Sequence, residues 1–416
     1  MSLLINQKIL NILFYQICFI PFLLVSGPFF PDLIVVLISI TFVIFTIKEN
    51  NLNLFKNYYV YFFLIFYILI IISATFSVDK YLSFKSVFFY FRFIIFFIAF
   101  KYIFEKFENS ETIFFKFLLI ISFILIIDSF IQYYFDYNIL GMKKIFSEGH
   151  GDRVTGLFGK DEILGSYLSK ILPILLAFYF FINKKKTNEN FILLLLILFF
   201  LSIFISGERA AFIQMLMFTI MFFILVDFKN KKKYFAIFLT AGLVLMTILV
   251  LTDKNKKVRM IDSVYNNFKQ GNIFSQYHQS HYMTGIKMFL DKPITGHGPK
   301  SFRVMCGNKK YMYNKYSCST HPHNTYIQML SEIGILGFLL ILILFTYICF
   351  LLLKFFIHKL FKKQQIFDNS YVIILIGLFV YLWPISPNGN FFNNWLSILF
   401  FLQIATLYLF DDKKQQ

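Results

Sequence analysis

The chain reads as an all-α polytopic membrane protein with about twelve transmembrane helices and one long external loop subdomain between the ninth and tenth. Three observations predict this class. Of 416 residues, 58% are hydrophobic and 21% aromatic, against 15% charged, and the mean hydropathy is +0.68. Apolar runs of about 20 residues recur, each long enough to cross a hydrocarbon layer of roughly 30 Å. Lysines collect in alternate short loops, as orientation in a membrane requires.

Taken in order, the spans fall at 9–27, 29–47, 58–77, 86–104, 114–135, 163–182, 191–206, 210–227, 234–252, 330–353, 371–385 and 395–410. The seventh and eighth follow each other so closely that they form a tight hairpin. The first is a retained span: it ends at Ser26-Gly27-Pro28 without a small-x-small cleavage site. With no linker, repeat or soluble domain in evidence, residues 1–416 form a single membrane domain, into which 253–329 is inserted as an external, periplasmic loop subdomain.

One set of short loops holds Lys48 and Lys56, Lys101 and Lys106, Lys184-Lys185-Lys186, Lys229 with Lys231-Lys232-Lys233, Lys359 with Lys362-Lys363, and the tail Lys413-Lys414. The opposite set holds little beyond Lys80, Lys85 and Arg209. The positive-inside bias assigns the first set and both termini to the cytoplasm. Residues 253–329 then face outward. They are basic as well, with Lys254, Lys256, Lys257, Arg259, Lys300, Arg303, Lys309 and Lys310. Part of the net charge of +18 therefore orients the chain and touches anionic membrane lipid. The external excess suggests an anionic substrate. Nucleic acid is excluded as a partner, since no basic soluble domain or nucleic-acid motif is present.

Cys18 and Cys349 lie in spans. Cys306 and Cys318 both fall in the external loop, where an oxidising compartment would let them close a short ring before the histidine motif. Their spacing does not resemble a zinc site, and no metal or cofactor is expected.

Charges inside spans are costly and usually face a bundle interior or a wet cavity. Arg92 and Lys170 each lie about two turns below the outer end of their helices, so both are candidates for an external vestibule. The alternative for both is snorkelling or a structural ion pair with Asp128. Ser206-Gly207-Glu208-Arg209 forms an external turn, where a guanidinium at a helix start suits phosphate. Arg153-Val154-Thr155-Gly156-Leu157-Phe158-Gly159 is a glycine turn in the loop 136–162.

The loop 253–329 contains two short amphipathic helices, 258–270 and 280–291. Tyr282, Ile286 and Phe289 stand at helical spacing in the second and are expected to pack on the bundle. After it comes His321-Pro322-His323-Asn324, in which Asn324 is a good N-cap for a helix beginning at Thr325. Asn324, Gln328 and Ser331/Glu332 form a polar stripe. Gly334 and Gly337 would let another helix approach. A histidine just before a helix N-terminus is kept neutral by the dipole, which suits a general base.

These residues resemble the O-antigen ligase and polymerase superfamily. The resemblance rests on His323-Asn324, nine residues, then Gly334-x-x-Gly337. Arg153-x-Thr155-Gly156-Leu157-Phe158-Gly159 is similar to the family's glycine turn, and Ser206-x-x-Arg209 to its arginine turn. Met288-Phe289-x-Asp291-x-Pro293-x-x-Gly296-x-Gly298 resembles the stretch ahead of the histidine. Pro384, Gly389 and Phe391-Phe392-Asn393-Asn394-Trp395 resemble the closing segment. Two departures stand out. His278, His281 and Tyr282 occupy the helix where members often carry Arg and Trp, and Ile213 stands where Leu often follows the arginine turn.

The resemblance implies a metal-independent glycosyltransferase of the bacterial inner membrane, with its active site on the periplasmic side. The donor would be a glycan on undecaprenyl pyrophosphate and the acceptor lipid A–core or another glycan. His323 and Arg209 would be catalytic, as base and diphosphate ligand. Arg92, Arg153, Lys170, Lys300, Arg303, His321, Asn324 and Gln328 would bind substrate. The single large late loop and the length near 400 residues favour a ligase over a polymerase that joins lipid-linked repeats. A polysaccharide flippase is the competing class, but the two halves show no repeat and the polar chemistry gathers at one face.

Overall fold

The computed structural model describes residues 2–147, 151–184, 186–269, 271, 274–362 and 365–411. Lys185, Lys363, Lys413 and Lys414 of the orientation argument, and residue 270 at the end of an expected helix, lie outside the described residues.

The protein is an all-α polytopic membrane protein. The first six long helices are α1 (Ser2–Leu23), α2 (Phe29–Lys48), α3 (Tyr58–Thr75), α4 (Lys80–Val87), continued by α5 (Arg92–Lys106), and α6 (Ser110–Phe135). A hairpin of β1 (Ile145–Ser147) and β2 (Gly151–Arg153) follows. Next come α7 (Leu164–Ile182), α8 (Glu189–Ser206), α9 (Arg209–Leu225) and α10 (Lys231–Thr252). The inserted segment holds α11 (Lys254–Lys257), a π turn over Val258–Asp262, α12 (Ser263–Lys269), α13 (Gln276–Asp291), α14 (Phe302–Met305) and α15 (Thr325–Glu332). The chain closes with α16 (Ile335–Ile357), α17 (Asn369–Tyr381) and α18 (Asn394–Asp411). Among the described residues ten helices, counting α4 and α5 as one, are long and apolar enough to span. Two shorter apolar helices, α9 and α17, stand among them. Together they match the expected twelve.

Hydropathy alone does not decide which helices are central. The interior is built on α5, α7, α17 and α18, where Phe93, Phe96, Phe97 and Phe100 are fully buried. Helix α10 is apolar yet almost wholly exposed, through Leu239, Leu243, Val244, Ile248 and Leu251. Apolar surface left outward on a spanning helix is a lipid-facing surface. At the lysine-rich end Lys184 pairs with Asp368, while Lys231 and Lys359 share Asp227.

Three expectations are corrected. The fourth span does not run unbroken from 86, because residues 88–91 turn and α5 starts at Arg92. Arg92 is thus at the head of its helix and not two turns down it. The tenth span does not begin at 330: Gly334, at φ 85°, separates α15 from α16. That glycine admits the Pro293–Ile294 backbone, with Ile335 N–H donating to Pro293 O at 2.8 Å. It does not seat another helix. Finally, the face of α13 that packs inward carries His281, Thr284, Gly285 and Met288. Tyr282, Ile286 and Phe289 are only partly buried. The cause is close approach, since Gly285 lies against Ile327 of α15.

The inserted segment has its own small core of Met288, Phe302, Cys306 and Tyr311. A disulfide joins Cys306 to Cys318.

Candidate functional site

Four histidines meet where α13 crosses the start of α15. The His323 ring lies 4.0 Å from His321, 5.2 Å from His281 and 5.4 Å from His278, centroid to centroid. Two come from one face of α13 and two from the turn before α15. That turn is held by its cap: Asn324 Oδ1 accepts from Tyr326 N–H (2.9 Å) and Ile327 N–H (3.1 Å), the arrangement a helix N-terminus favours. His323 itself is left-handed, at φ 57°. A non-glycine residue held there is strained by roughly 1 kcal/mol or more, and such strain clusters at functional sites.

The closing segment fastens the motif from below. Asn324 Nδ2 donates to Pro384 O (2.7 Å), and Asn388 N–H donates to His323 O (2.9 Å). His321 Nε2–H donates to Asn388 O (3.2 Å), while its Nδ1 accepts from the Thr320 hydroxyl (2.9 Å). That pair of bonds fixes the His321 tautomer. Gln328 is fully buried; it donates to Glu332 and Asn390 and accepts from Phe391 N–H, each at 2.9 Å. The polar stripe read from the sequence is therefore turned into the protein, where Asn324 and Gln328 act as struts. Asn388 and Asn390 were not singled out in the sequence, because Asn in a Pro/Gly/Asn turn signals only a turn.

All four rings are neutral. Burial pushes His323 down to about 2, reinforced by His321, His278 and His281. Burial takes His321 to about 4, with Asn388 O opposing and Arg303 adding to the fall. His278 also falls to about 4 through burial, His281 and Arg209. His281 is lowered by burial, against its bonds to the Cys318 and Tyr316 backbone. Among the described residues no group of three or more His, Cys, Asp or Glu has a geometry that holds a metal ion.

Two groups of cations lie within electrostatic range of the rings, Arg209 acting on His278 and Arg303 on His321. On one side Arg209 at the head of α9, Arg153 at the end of β2 and Arg259 of the π turn lie within electrostatic range of each other. The Arg259 guanidinium is pushed down to about 10 by burial, then by Arg153 and Arg209, with Glu162 and Glu208 opposing. Gly207, at φ 75°, makes this convergence possible: Arg259 Nε–H donates to its carbonyl at 2.7 Å, and a Cβ there would strike the Arg259 side chain. The nearby carboxylates are committed. Glu162 pairs with Arg153. Glu208 receives Gly165 N–H (2.6 Å) and the Ser166 hydroxyl (2.7 Å) at the head of α7. Arg259 was named in the sequence only as one of many loop cations, and no spacing rule marks it.

On the other side stand Lys300 and Arg303. Burial lowers Lys300, Arg303 adds to this, Glu332 opposes it, and Arg92 and Lys85 act more weakly. Arg303 is exposed. Arg92 borders this group but is bound elsewhere: its guanidinium pairs with Asp32 at 2.7 Å, and Asn394 holds the other Asp32 oxygen at 2.8 Å. The expected alternative partner, Asp128, instead accepts from Ile139 N–H (2.8 Å). The glycine turn 153–159 is hung on α6, where Gln132 Oε1 accepts from Thr155 and Gly156 N–H at 2.8 and 2.7 Å. Lys170 is not with the others. It is buried in the bundle, with Nζ donating to Ser166 O (3.3 Å) and lying 5.4 Å from the Tyr381 ring.

Neutral imidazoles near guanidinium and ammonium groups suit an anionic substrate beside a group that gives up a proton. A comparison with curated proteins finds no match. Residues 194–342, which hold Arg209, Arg259, the inserted segment and the histidine motif, match the family model described as O-antigen ligase.

Proposed function

We propose that this membrane protein transfers a glycan from undecaprenyl pyrophosphate to lipid A–core, as an O-antigen ligase of the bacterial inner membrane acting at the periplasmic face. The observation that carries the reading is the neutral His323 clustered with His278, which feels Arg209, and with His321, which feels Arg303. The bundle accommodates a prenyl tail. The cations take the diphosphate, and the arginines match its oxygens with planar forks.

His323 is the general base. It takes the proton of an acceptor hydroxyl as that oxygen attacks the donor's anomeric carbon. The bond to the diphosphate breaks with its electrons on the leaving oxygen, where Arg209 meets the developing charge. Among the described residues, the carboxylates beside these groups, Glu162, Glu208 and Glu332, are all engaged within the protein. Direct displacement with inversion follows. A bound dianion would also offset the Arg303 and Arg209 charges that help to lower His321 and His278. The role of a metal at the diphosphate is taken by the arginines.

Cells lacking the protein test this reading. The expected phenotype is retention of prenyl-linked polymer with its loss from lipopolysaccharide. Single capped repeats in place of polymer would reassign the chain as a polymerase. An unchanged glycan pattern with substrate stranded on the cytoplasmic face would make it a flippase.

A further inference from the structure

The hydroxyl of Ser319 lies 2.9 Å from Nε2 of His323. Among the described residues this is the ring's only hydrogen bond to a side chain or backbone group. It occupies the place that a reacting hydroxyl must take if His323 is the base. Nothing in the sequence marked Ser319. It follows Cys318 directly, and the serine and histidine are four residues apart in a segment that is not helical.

Two features make the contact a built one. The left-handed φ of His323 turns its ring back along the chain. The disulfide from Cys318 to Cys306 anchors the residue before Ser319 to the small core of the inserted segment. The same segment meets His281 through the backbone of Tyr316 and Cys318. A short disulfide-tied stretch thus carries the hydroxyl that meets the His323 ring. Ser319 is partly buried.

We propose that Ser319 is a catalytic proton relay between the acceptor hydroxyl and His323, an inference that rests on the transferase reading above. In the resting protein the Ser319 O–H donates to Nε2, and Nδ1 carries the ring proton. When the acceptor oxygen forms its bond to the anomeric carbon, its proton passes to Ser319 Oγ. The proton of Ser319 passes to Nε2. The anomeric carbon–oxygen bond to the diphosphate breaks, and the electron pair leaves on the phosphate oxygen. The imidazolium then returns its proton to the departed diphosphate, and Ser319 ends as it began.

The test uses the full-length protein in two experiments. In membranes from cells that make it, which supply both substrates, Ser319→Ala is expected to lower kcat about 100-fold, in keeping with the loss of one proton-transfer partner. KM for the lipid-linked donor should hold, and Ser319→Thr, which keeps a hydroxyl, should recover most of the rate. Wild-type kcat in Ser319→Ala, with His323→Ala inactive, would overturn the relay and leave the base in place. Full activity in His323→Ala would overturn both. In detergent micelles, nitrogen chemical shifts of labelled histidine report the tautomer without any substrate. The relay requires an unprotonated Nε2 on His323 whose shift moves in Ser319→Ala. A protonated Nε2 in the resting protein would reverse the hydrogen bond and overturn the proposal.

Discussion

The His321 and His323 rings lie 4.0 Å apart, centroid to centroid and tilted by 40°, and both residues are tied to Asn388, one by its side chain and the other by its carbonyl. Two imidazoles this close cannot both hold a proton cheaply, and burial opposes even one. Both ordinarily titrate near 6.5 and are lowered here, to about 4 and about 2. Below pH 6.5 the unfolded chain binds protons that the folded chain refuses. Stability is therefore full above pH 6.5 and falls as the pH drops toward 4. Thermal melts in detergent should show the loss in that window, and His321→Gln should flatten it. Turnover, by contrast, should not follow a pKa of 6.5, because the base is already neutral. An acid limb centred at that value would contradict the buried cluster.

Among the described residues Arg209 makes no ion pair with a carboxylate, unlike Arg153. Arg153 is matched by Glu162, and Glu208 is spent on the head of α7. Removing Arg209 should therefore take away a contact to the substrate and not a structural pair. Arg209→Ala should reduce kcat/KM for the donor by about 100-fold or more, the usual effect of losing one donor to a developing oxyanion. Arg209→Lys should lose less, and a chelator should leave the rate unchanged. If Lys and Ala fall equally, bidentate contact with the diphosphate is wrong.

Arg92 makes the opposite case. Its charge is buried against Asp32, and Asn394 fastens Asp32 from α18, so the pair ties α2, α5 and α18 together. Removing one partner of a buried pair leaves the other uncompensated, at a cost of about 3 kcal/mol. Arg92→Ala and Asp32→Ala should each lower the melting temperature, and Arg92→Ala/Asp32→Ala should cost less than their sum. Donor KM in the folded fraction should change little. A donor defect without a stability defect would return Arg92 to the binding surface.

The helices were readable because apolar length is a strong signal and lysines orient it. The cap at Asn324 was equally plain. What failed did so for stated reasons. The break at 88–91 runs through Phe88-Phe89-Tyr90-Phe91, which is as apolar as a helix interior. The inward face of α13 is made of Ser280, His281, Thr284 and Gly285, which carry no hydrophobic period. Asp32 lies in the first turn of another helix, and its pairing with Arg92 spans 60 residues. Arg259 and Ser319 owe their places to Gly207 and to the disulfide, which are tertiary relations that spacing does not encode.

The Cys306–Cys318 bridge should therefore matter for rate as well as for stability. The cysteines are 12 residues apart. A ring of that size stabilises by about 3 kcal/mol in the chain-entropy view. The bridge also fixes the segment whose backbone meets His281 and whose Ser319 meets His323. Cys306→Ser/Cys318→Ser should lower the melting temperature and, at temperatures where the protein remains folded, also reduce kcat. Reduction of the wild type with dithiothreitol should reproduce both effects, and reoxidation should restore them. A loss confined to the melting temperature would mean that the bridge only staples the inserted segment, and that the histidines are positioned by α13 and Asn388 alone.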